Sequence, residues 1–190
     1  MREAGTDIDD RIAARVRNLR AAKGLTLDDL AASSGVSRAM LSRIERAQSS
    51  ATAQLLVRLC GGLGVTLSEL VAAAPATPAP LRRAGEHPLW RDPATGYRRR
   101  EIAPADLGPR ASIVEIEFPA GARVTLDNRR YAGRGQHVWL LEGTLEIETG
   151  GATHRLNAGD RMTMAFGAKL VFRNPSRKRA RYAVIADTGE

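Results

Sequence analysis

Between Ser37 and Gln48 the chain reads Ser-Arg-Ala-Met-Leu-Ser-Arg-Ile-Glu-Arg-Ala-Gln. Leu41 and Ile44 are spaced as the buried stripe of a helix, and its first turn offers Ser37, Arg38 and Ala39, with Ser42 and Arg43 one turn further on. An exposed N-terminal helical turn can lay side chains against base edges in a major groove. An arginine fork matches guanine O6 and N7, and an alanine methyl fits against a thymine methyl. The chemistry open to these residues is recognition rather than bond making. A lone arginine on a helix is ordinarily a solvated surface charge, so Arg38 and Arg43 gain meaning only by sharing this face. No comparable catalytic set accompanies them. The histidines are His87, His137 and His154, and the single cysteine, Cys60, sits between Leu56 and Leu63 on an apolar stripe, as a core residue would. One cysteine excludes an internal disulfide framework and a cysteine-clustered zinc site.

Five short helical segments position this face. Ile8, Ile12, Val16 and Leu19 fall at helical spacing, with Asp7 as the expected N-cap and Gly24 as the expected C′ residue. Thr26-Leu27-Asp28-Asp29 is a capping-box pattern and opens a second helix with Leu30 and Ala31. A third starts at Ser37, and a fourth, from about Thr52, carries Leu55, Leu56, Leu59 and Leu63. Thr66-Leu67-Ser68-Glu69 repeats the capping box before Leu70 and Val71. At the join of the second and third helices, Gly35 can take the positive φ that reverses the chain within a few residues. Ala31 is small where two helices must approach, and Val36, Leu41 and Ile44 supply the wedge between them.

This Ala-x3-Gly-x5-Leu-x2-Ile spacing resembles the helix-turn-helix of the phage-repressor/Cro-type (XRE) regulators over roughly Ile8 to Val71. The resemblance implies that Arg38, Ala39 and Arg43 are base readers and that Ser37, Arg46 and Gln48 mostly meet phosphates. Phosphate contacts of that kind set orientation and salt dependence without carrying sequence information. It also implies a structural salt bridge between Arg20 and Glu45, joining the first and third helices. A helical bundle that binds only another protein is the bland alternative.

The Ala72 to Pro80 stretch, with three prolines in six residues, breaks the helical pattern and is semi-extended in character. The expected division is therefore a helical domain over 1–73, an Ala/Pro linker over 74–81 and a β domain over 82–190. The 190 residues contain no apolar run of membrane-spanning length and no hydrophobic N-terminal leader, so a cytoplasmic protein without membrane contact is expected. Basic residues outnumber acidic ones by 29 to 21, a net charge of +8. That excess suits an anionic partner but locates none. Residues 1–74 contribute only 10 basic and 8 acidic groups, so most of the surplus lies in the β half. Its densest runs, Arg98-Arg99-Arg100 and Arg177-Lys178-Arg179 with Arg181, read as a solvated face or an auxiliary contact to a nucleic-acid backbone.

From Arg82 onward the apolar pattern turns to period two. Ile113, Val114, Ile116 and Phe118 mark one strand, and His137 to Leu156 reads as strand, Glu-Gly turn, strand, Gly-Gly turn, strand. Asn157-Ala158-Gly159-Asp160 is another tight turn, and Lys169 to Ala186 gives two strands around Asn174-Pro175. Such a series of short strands with glycine turns predicts a β-barrel or jelly roll. Gly121 to Ile185, with WLLEGTLEIETGG, RLNAGDRMTM and FRNPS, is similar to a cupin barrel. The preceding WRDPATGYRRREIAP is similar to the lead-in of regulators that join an XRE-type helix-turn-helix to a cupin. Together the two resemblances imply an α+β protein, a five-helix bundle followed by an all-β cupin, acting as a transcription factor with a sensing domain.

Many cupins are metalloenzymes, and the resemblance fixes where their ligands would stand. These positions fall at Arg129 or Arg130, at Tyr131 or Ala132, at Gln136 and at Leu170. A guanidinium stays protonated and cannot ligate a metal. Neither a metal, a cofactor nor a catalytic residue is therefore expected, and a cupin isomerase or dioxygenase tethered to a DNA-binding module is the alternative. Candidates for a ligand pocket are Arg129, Tyr131, Gln136, His137 and Trp139, although alternation lets only one of Gln136 and His137 face inward. Met162, Met164 and Phe172 read as barrel core. Arg123, Arg129, Arg130 and Arg134 surround the loop before Gln136 and, turned inward, would suit an anionic effector. The expected partners are double-stranded DNA bearing a near-palindromic operator, a second copy of the chain, and a small-molecule effector.

Overall fold

The computed structural model describes residues 4–71, 81–103, 111–127, 135–165 and 167–187. Five helices come first: α1 (Ala4–Ala22), α2 (Leu27–Ser34), α3 (Arg38–Glu45), α4 (Ala53–Leu63) and α5 (Leu67–Val71). Their ends are set locally. Thr26 and Asp29 form the reciprocal capping box, the Asp29 N–H donating to Thr26 Oγ1 at 3.1 Å and the Thr26 N–H to Asp29 Oδ2 at 2.8 Å. Thr66 and Glu69 repeat it at α5. Ser37 and Thr52 cap α3 and α4 by accepting from the N–H groups of Met40 and Leu55. Gly35 closes α2 at φ +66, the left-handed conformation the turn requires. Asp7 does not cap α1. That helix starts at Ala4, because a capping side chain favours an end but cannot force one while helical backbone continues upstream. The buried stripes of the helices, Ile12, Val16, Leu30, Leu41, Ile44, Leu56 and Leu59 among them, converge on one core, and Cys60 is part of it.

Among the described residues ten antiparallel strands follow: β1 (Leu89–Arg91), β2 (Arg98–Ala103), β3 (Ala111–Phe118), β4 (Arg123–Asp127), β5 (Gly135–Glu142), β6 (Thr144–Thr149), β7 (Ala152–Asn157), β8 (Arg161–Ala165), β9 (Lys169–Arg173) and β10 (Ala180–Asp187). They form a six-stranded sheet ordered β1-β2-β3-β10-β5-β8 and a four-stranded sheet ordered β4-β9-β6-β7. This is the expected jelly-roll architecture of cupin type. The Gly150-Gly151 turn makes a true β6–β7 hairpin. The Glu142-Gly143 turn instead carries the chain from one sheet to the other, since β5 pairs with β10 and β8. Gly143 is required there: its φ is +85, and a Cβ would lie 2.8 Å from the Arg179 carbonyl oxygen.

Register decides which side chains face the interior of the six-stranded sheet. Ser112, Ala186, Gln136 and Met164 lie opposite one another in one inward row, and Val114, Val184, Val138 and Met162 in the next. Asn174 is completely buried and pins the turn after β9, donating to the carbonyls of Phe118, Pro119 and Lys178 while accepting from Ser176. Helices and sheets also meet directly. α4 packs on β4 and α1 on β1. The expected linker falls outside the described residues except for Leu81.

Candidate nucleic-acid interface and barrel cavity

The turn at Gly35 projects α3 with one face buried and one exposed. Val36, Leu41 and Ile44 are buried, whereas Ser37, Arg38, Ala39, Arg43, Arg46 and Gln48 are exposed and Ser42 is half-buried. The residues singled out as readers thus share one surface. Arg38 is not a loose charge there, since its Nε lies 3.2 Å from Asp28 Oδ1 on α2. Arg46 folds back along α3 and donates from Nε to the Ser42 carbonyl at 3.2 Å. The Gln48 N–H donates to the Arg43 carbonyl, past Ala47 at φ +53, which turns the chain off the end of the helix.

Behind this surface, Arg20 on α1 grips Glu45 at the end of α3. Nε donates to Oε1 at 2.6 Å and Nη2 to Oε2 at 2.9 Å, while Nη1 donates to the Leu25 carbonyl at 2.8 Å. The hydrogen bond to Glu45 raises the Arg20 pKa further above its ordinary value. The bidentate fork fixes the axial position of α3 against α1, which is a positioning role.

A second feature lies at the end of the β sandwich that faces α4 and α5. A cavity of about 90 Å³ opens there between the two sheets. Its apolar wall includes Phe118, Phe172, Val124 and Leu126, and Val57 and Leu67 close it from the helical side. Phe172 stacks on Tyr182 with ring centroids 5.9 Å apart and an interplanar angle of 2°. Burial pushes the phenols of Tyr97 and Tyr182 well above their ordinary pKa, so both remain neutral donors.

Gln136 is buried in the wall of this cavity, with its Nε2 lacking a hydrogen-bond partner among the described residues. His137 and Trp139, named with it as pocket residues, are exposed on the outer face of β5, because alternation along the strand sends them away from the interior. His137 bonds through Nδ1 to Thr163 Oγ1 at 2.9 Å instead. Arg129 and Tyr131, together with Arg130, Ala132 and Arg134, lie outside the described residues. Arg123 is exposed. Met162 and Met164 pack in the core, and Phe172 both packs and lines the cavity.

The cation at the cavity belongs to the Arg98-Arg99-Arg100 run, for which a solvated face or an auxiliary nucleic-acid backbone contact is expected. Arg98 and Arg100 do point outward, pairing with Glu117 at 3.1 Å and Glu115 at 3.4 Å. Arg99, between them, turns inward with only 11% of its side chain exposed and donates from Nη2 to Ser68 Oγ of α5 at 2.6 Å. A signal for this was present: Arg98-x-Arg100 alternates against Glu115-x-Glu117, which forces the residue between onto the buried face. Arg181 likewise pairs with Glu115 at 2.8 Å, and Arg179 approaches Glu142 at 3.7 Å, so neither belongs to a free basic patch.

A metal does not fit the described part of this interior. Of the positions where a cupin metal would be held, Gln136 offers a carboxamide and Leu170 an alkyl chain, and both are buried. Among the described residues no group of three or more His, Cys, Asp or Glu side chains could hold a metal ion. No described helix is long and apolar enough to cross a membrane.

Comparison with known proteins agrees with the geometry. Residues 16–70 match the helix-turn-helix family HTH_3. The HTH-type transcriptional regulator SutR of Escherichia coli strain K12 is 26% identical over 164 residues, covering 86% of each chain. The crystal structure of an HTH_3 family transcriptional regulator from Vibrio cholerae superposes with a TM-score of 0.81 over 98% of this chain and 99% of that one, at 23% identity. A cupin domain of an XRE family transcriptional regulator from Enterobacter cloacae covers 50% of this chain and 98% of its own, at 19% identity and a TM-score of 0.47. The helix-turn-helix match and the likeness to a regulator along most of the chain identify a transcriptional regulator. In particular, residues 16–70 are an XRE-type helix-turn-helix domain of the HTH_3 family, joined to a cupin-like domain.

Proposed function

We propose that the chain works in the cytoplasm as a homodimer, its two α3 helices reading half-sites of a near-palindromic operator, while the β domain binds a small-molecule effector and performs no catalysis. The observation that carries this reading is the joint exposure of Arg38, Ala39 and Arg43 on a helix locked from behind by Leu41, Ile44 and the Arg20–Glu45 fork. Arg38 and Arg43 read guanine edges, Ala39 meets a thymine methyl, and Ser37, Ser42, Arg46 and Gln48 fix the helix on sugar and phosphate. The functional division follows 1–73 for DNA, 74–81 as the connection and 82–190 for the effector.

One recognition helix spans too few base pairs for a unique address, and a two-fold dimer doubles it with half-sites roughly 34–36 Å apart. The outer face of the six-stranded sheet suits the second copy. Trp139 and Ile113 are exposed large apolar groups there, in neighbouring rows with Ala183 and Ile185. A Trp139→Arg variant should sediment as a monomer and lose affinity for a two-half-site operator.

The deciding experiment is a fluorescence-anisotropy titration of the region upstream of the gene against unrelated DNA. Arg38→Ala and Arg43→Ala should each lose about 1–3 kcal/mol of discrimination. Unchanged discrimination in both would overturn the assignment of α3 as the reader. Stoichiometric iron, manganese, nickel or zinc in the purified protein would overturn the non-catalytic reading of the β domain.

A further inference from the structure

The cavity beneath α5 has the composition of a binding site rather than of a packed core. Arg99 supplies a permanent positive charge to its wall, and no other described residue there is charged. Arg99 Nε has no hydrogen-bond partner among the described residues. The Glu101 carboxylate approaches Nη2 only to 3.9 Å, beyond hydrogen-bond distance, and Glu101 is not part of the wall. A buried guanidinium N–H without an acceptor is costly unless a ligand supplies one. Gln136, nine-tenths or more buried, offers an unspent Nε2 to the same space, with the Ser112 hydroxyl in its register row. Arg99, Gln136 and Ser112 all line one space that is otherwise walled mainly by aromatic and aliphatic groups.

We propose that this cavity binds a small monocarboxylate with an apolar body, its planar oxygens held by Arg99 and Gln136, and that the carboxylate takes Arg99 away from Ser68. A guanidinium fork fits a carboxylate bidentately, which a hydroxyl cannot match. A water-sized group takes roughly 10–15 Å³ of such space, so the cavity holds an acid of about six to nine non-hydrogen atoms. Ser68 and Leu67 of α5, with Thr66 just before it, line the same cavity. Occupation therefore exchanges a contact between domains for a contact with ligand. The empty and filled forms differ in how α5 sits on the sheet, which is the differential affinity that coupling to DNA requires. This inference rests on the reading of the β domain as a sensor and names the class of molecule sensed.

Isothermal titration calorimetry of the full chain tests it, with benzoate and 3-methylbutanoate as probes and benzamide and 3-methylbutanamide as uncharged matches. Both acids should bind in the millimolar range or tighter, and the amides at least tenfold more weakly. Arg99→Gln should abolish acid binding, and Gln136→Leu should weaken it about tenfold. Should Arg99→Gln fail to fold, Gln136→Leu and the acid–amide comparison still decide. Equal binding of acids and amides, or no binding of either acid, overturns the proposal. Operator titrations with and without benzoate form the second arm: an affinity change lost in Ser68→Ala supports the exchange, and an unchanged affinity despite acid binding overturns it. Failure of the chain to bind DNA at all would overturn the proposed function while leaving the calorimetric result standing.

Discussion

Asp92 Oδ1 accepts the backbone N–H of Ala53 at 3.0 Å, so a buried carboxylate of the β domain satisfies the first turn of a helix in the DNA-binding domain. Its other oxygen holds the Thr95 N–H at 3.0 Å and the Thr95 hydroxyl at 2.5 Å, fixing the β1–β2 turn. One side chain thereby ties the turn to the start of α4. Asp92→Ala leaves the Ala53 donor buried without a partner and should cost about 1–3 kcal/mol in urea denaturation. Asp92→Asn keeps one carbonyl oxygen and should fall between the two. An alanine variant as stable as the parent would sink the idea that this contact holds the units together.

The Arg20–Glu45 fork predicts an asymmetry between single and double substitution. Arg20→Ala strands Glu45, a carboxylate only 8% exposed, and should cost about 3 kcal/mol. Arg20→Met with Glu45→Leu removes both charges and keeps apolar volume, so it should recover most of that loss. DNA affinity should follow stability in the single variant, because the fork sets the position of α3. A double variant as unstable as Arg20→Ala would show that α1–α3 packing, rather than the ion pair, holds the helix.

Gly62 sets two opposing effects against each other. In a helix interior alanine is favoured over glycine by about 1 kcal/mol. At Gly62 a Cβ would lie 2.9 Å from Ser34 Cβ and 3.0 Å from both Leu30 Cδ1 and Ser33 Oγ. Those atoms belong to α2, which packs directly on α4. Overpacking of this kind typically costs about 1–3 kcal/mol, so Gly62→Ala should be net destabilising by thermal melting. A rise in melting temperature would mean that α2 yields easily.

The parts of this protein that were legible in its sequence are those governed by neighbours along the chain. The capping boxes at Thr26 and Thr66, the turn at Gly35 and the stripe through Leu41 and Ile44 each depend on contacts within a few residues, so spacing alone reveals them. Arg99 was misread because a run of three arginines resembles a solvated surface until the partner strand is known. Only the pairing with Glu115-x-Glu117 separates its inward residue from the outward two. Asp92 forms the β1–β2 turn, but its bond to Ala53 spans 39 positions and leaves no local trace in the sequence. The turn at Gly143 is where expected, but glycine marks a reversal without saying which sheet the next strand joins.

The same separation applies to Asp28, which is local in sequence to α2 but meets Arg38 across the turn, Oδ1 to Nε at 3.2 Å, with both side chains largely exposed. A pair so exposed contributes less than about 1 kcal/mol, so Asp28→Asn should barely move the unfolding midpoint. Its effect should appear on DNA. The carboxylate repels phosphates and at the same time points the guanidinium of the proposed base reader. Removing it should raise affinity for unrelated DNA several-fold, more at low salt than at high, while operator affinity rises less, because Arg38 loses its orientation. The discrimination ratio should therefore fall as non-specific binding climbs. Salt-series anisotropy on operator and unrelated duplexes reads both quantities, and two unchanged affinities would place the α2–α3 surface away from the DNA.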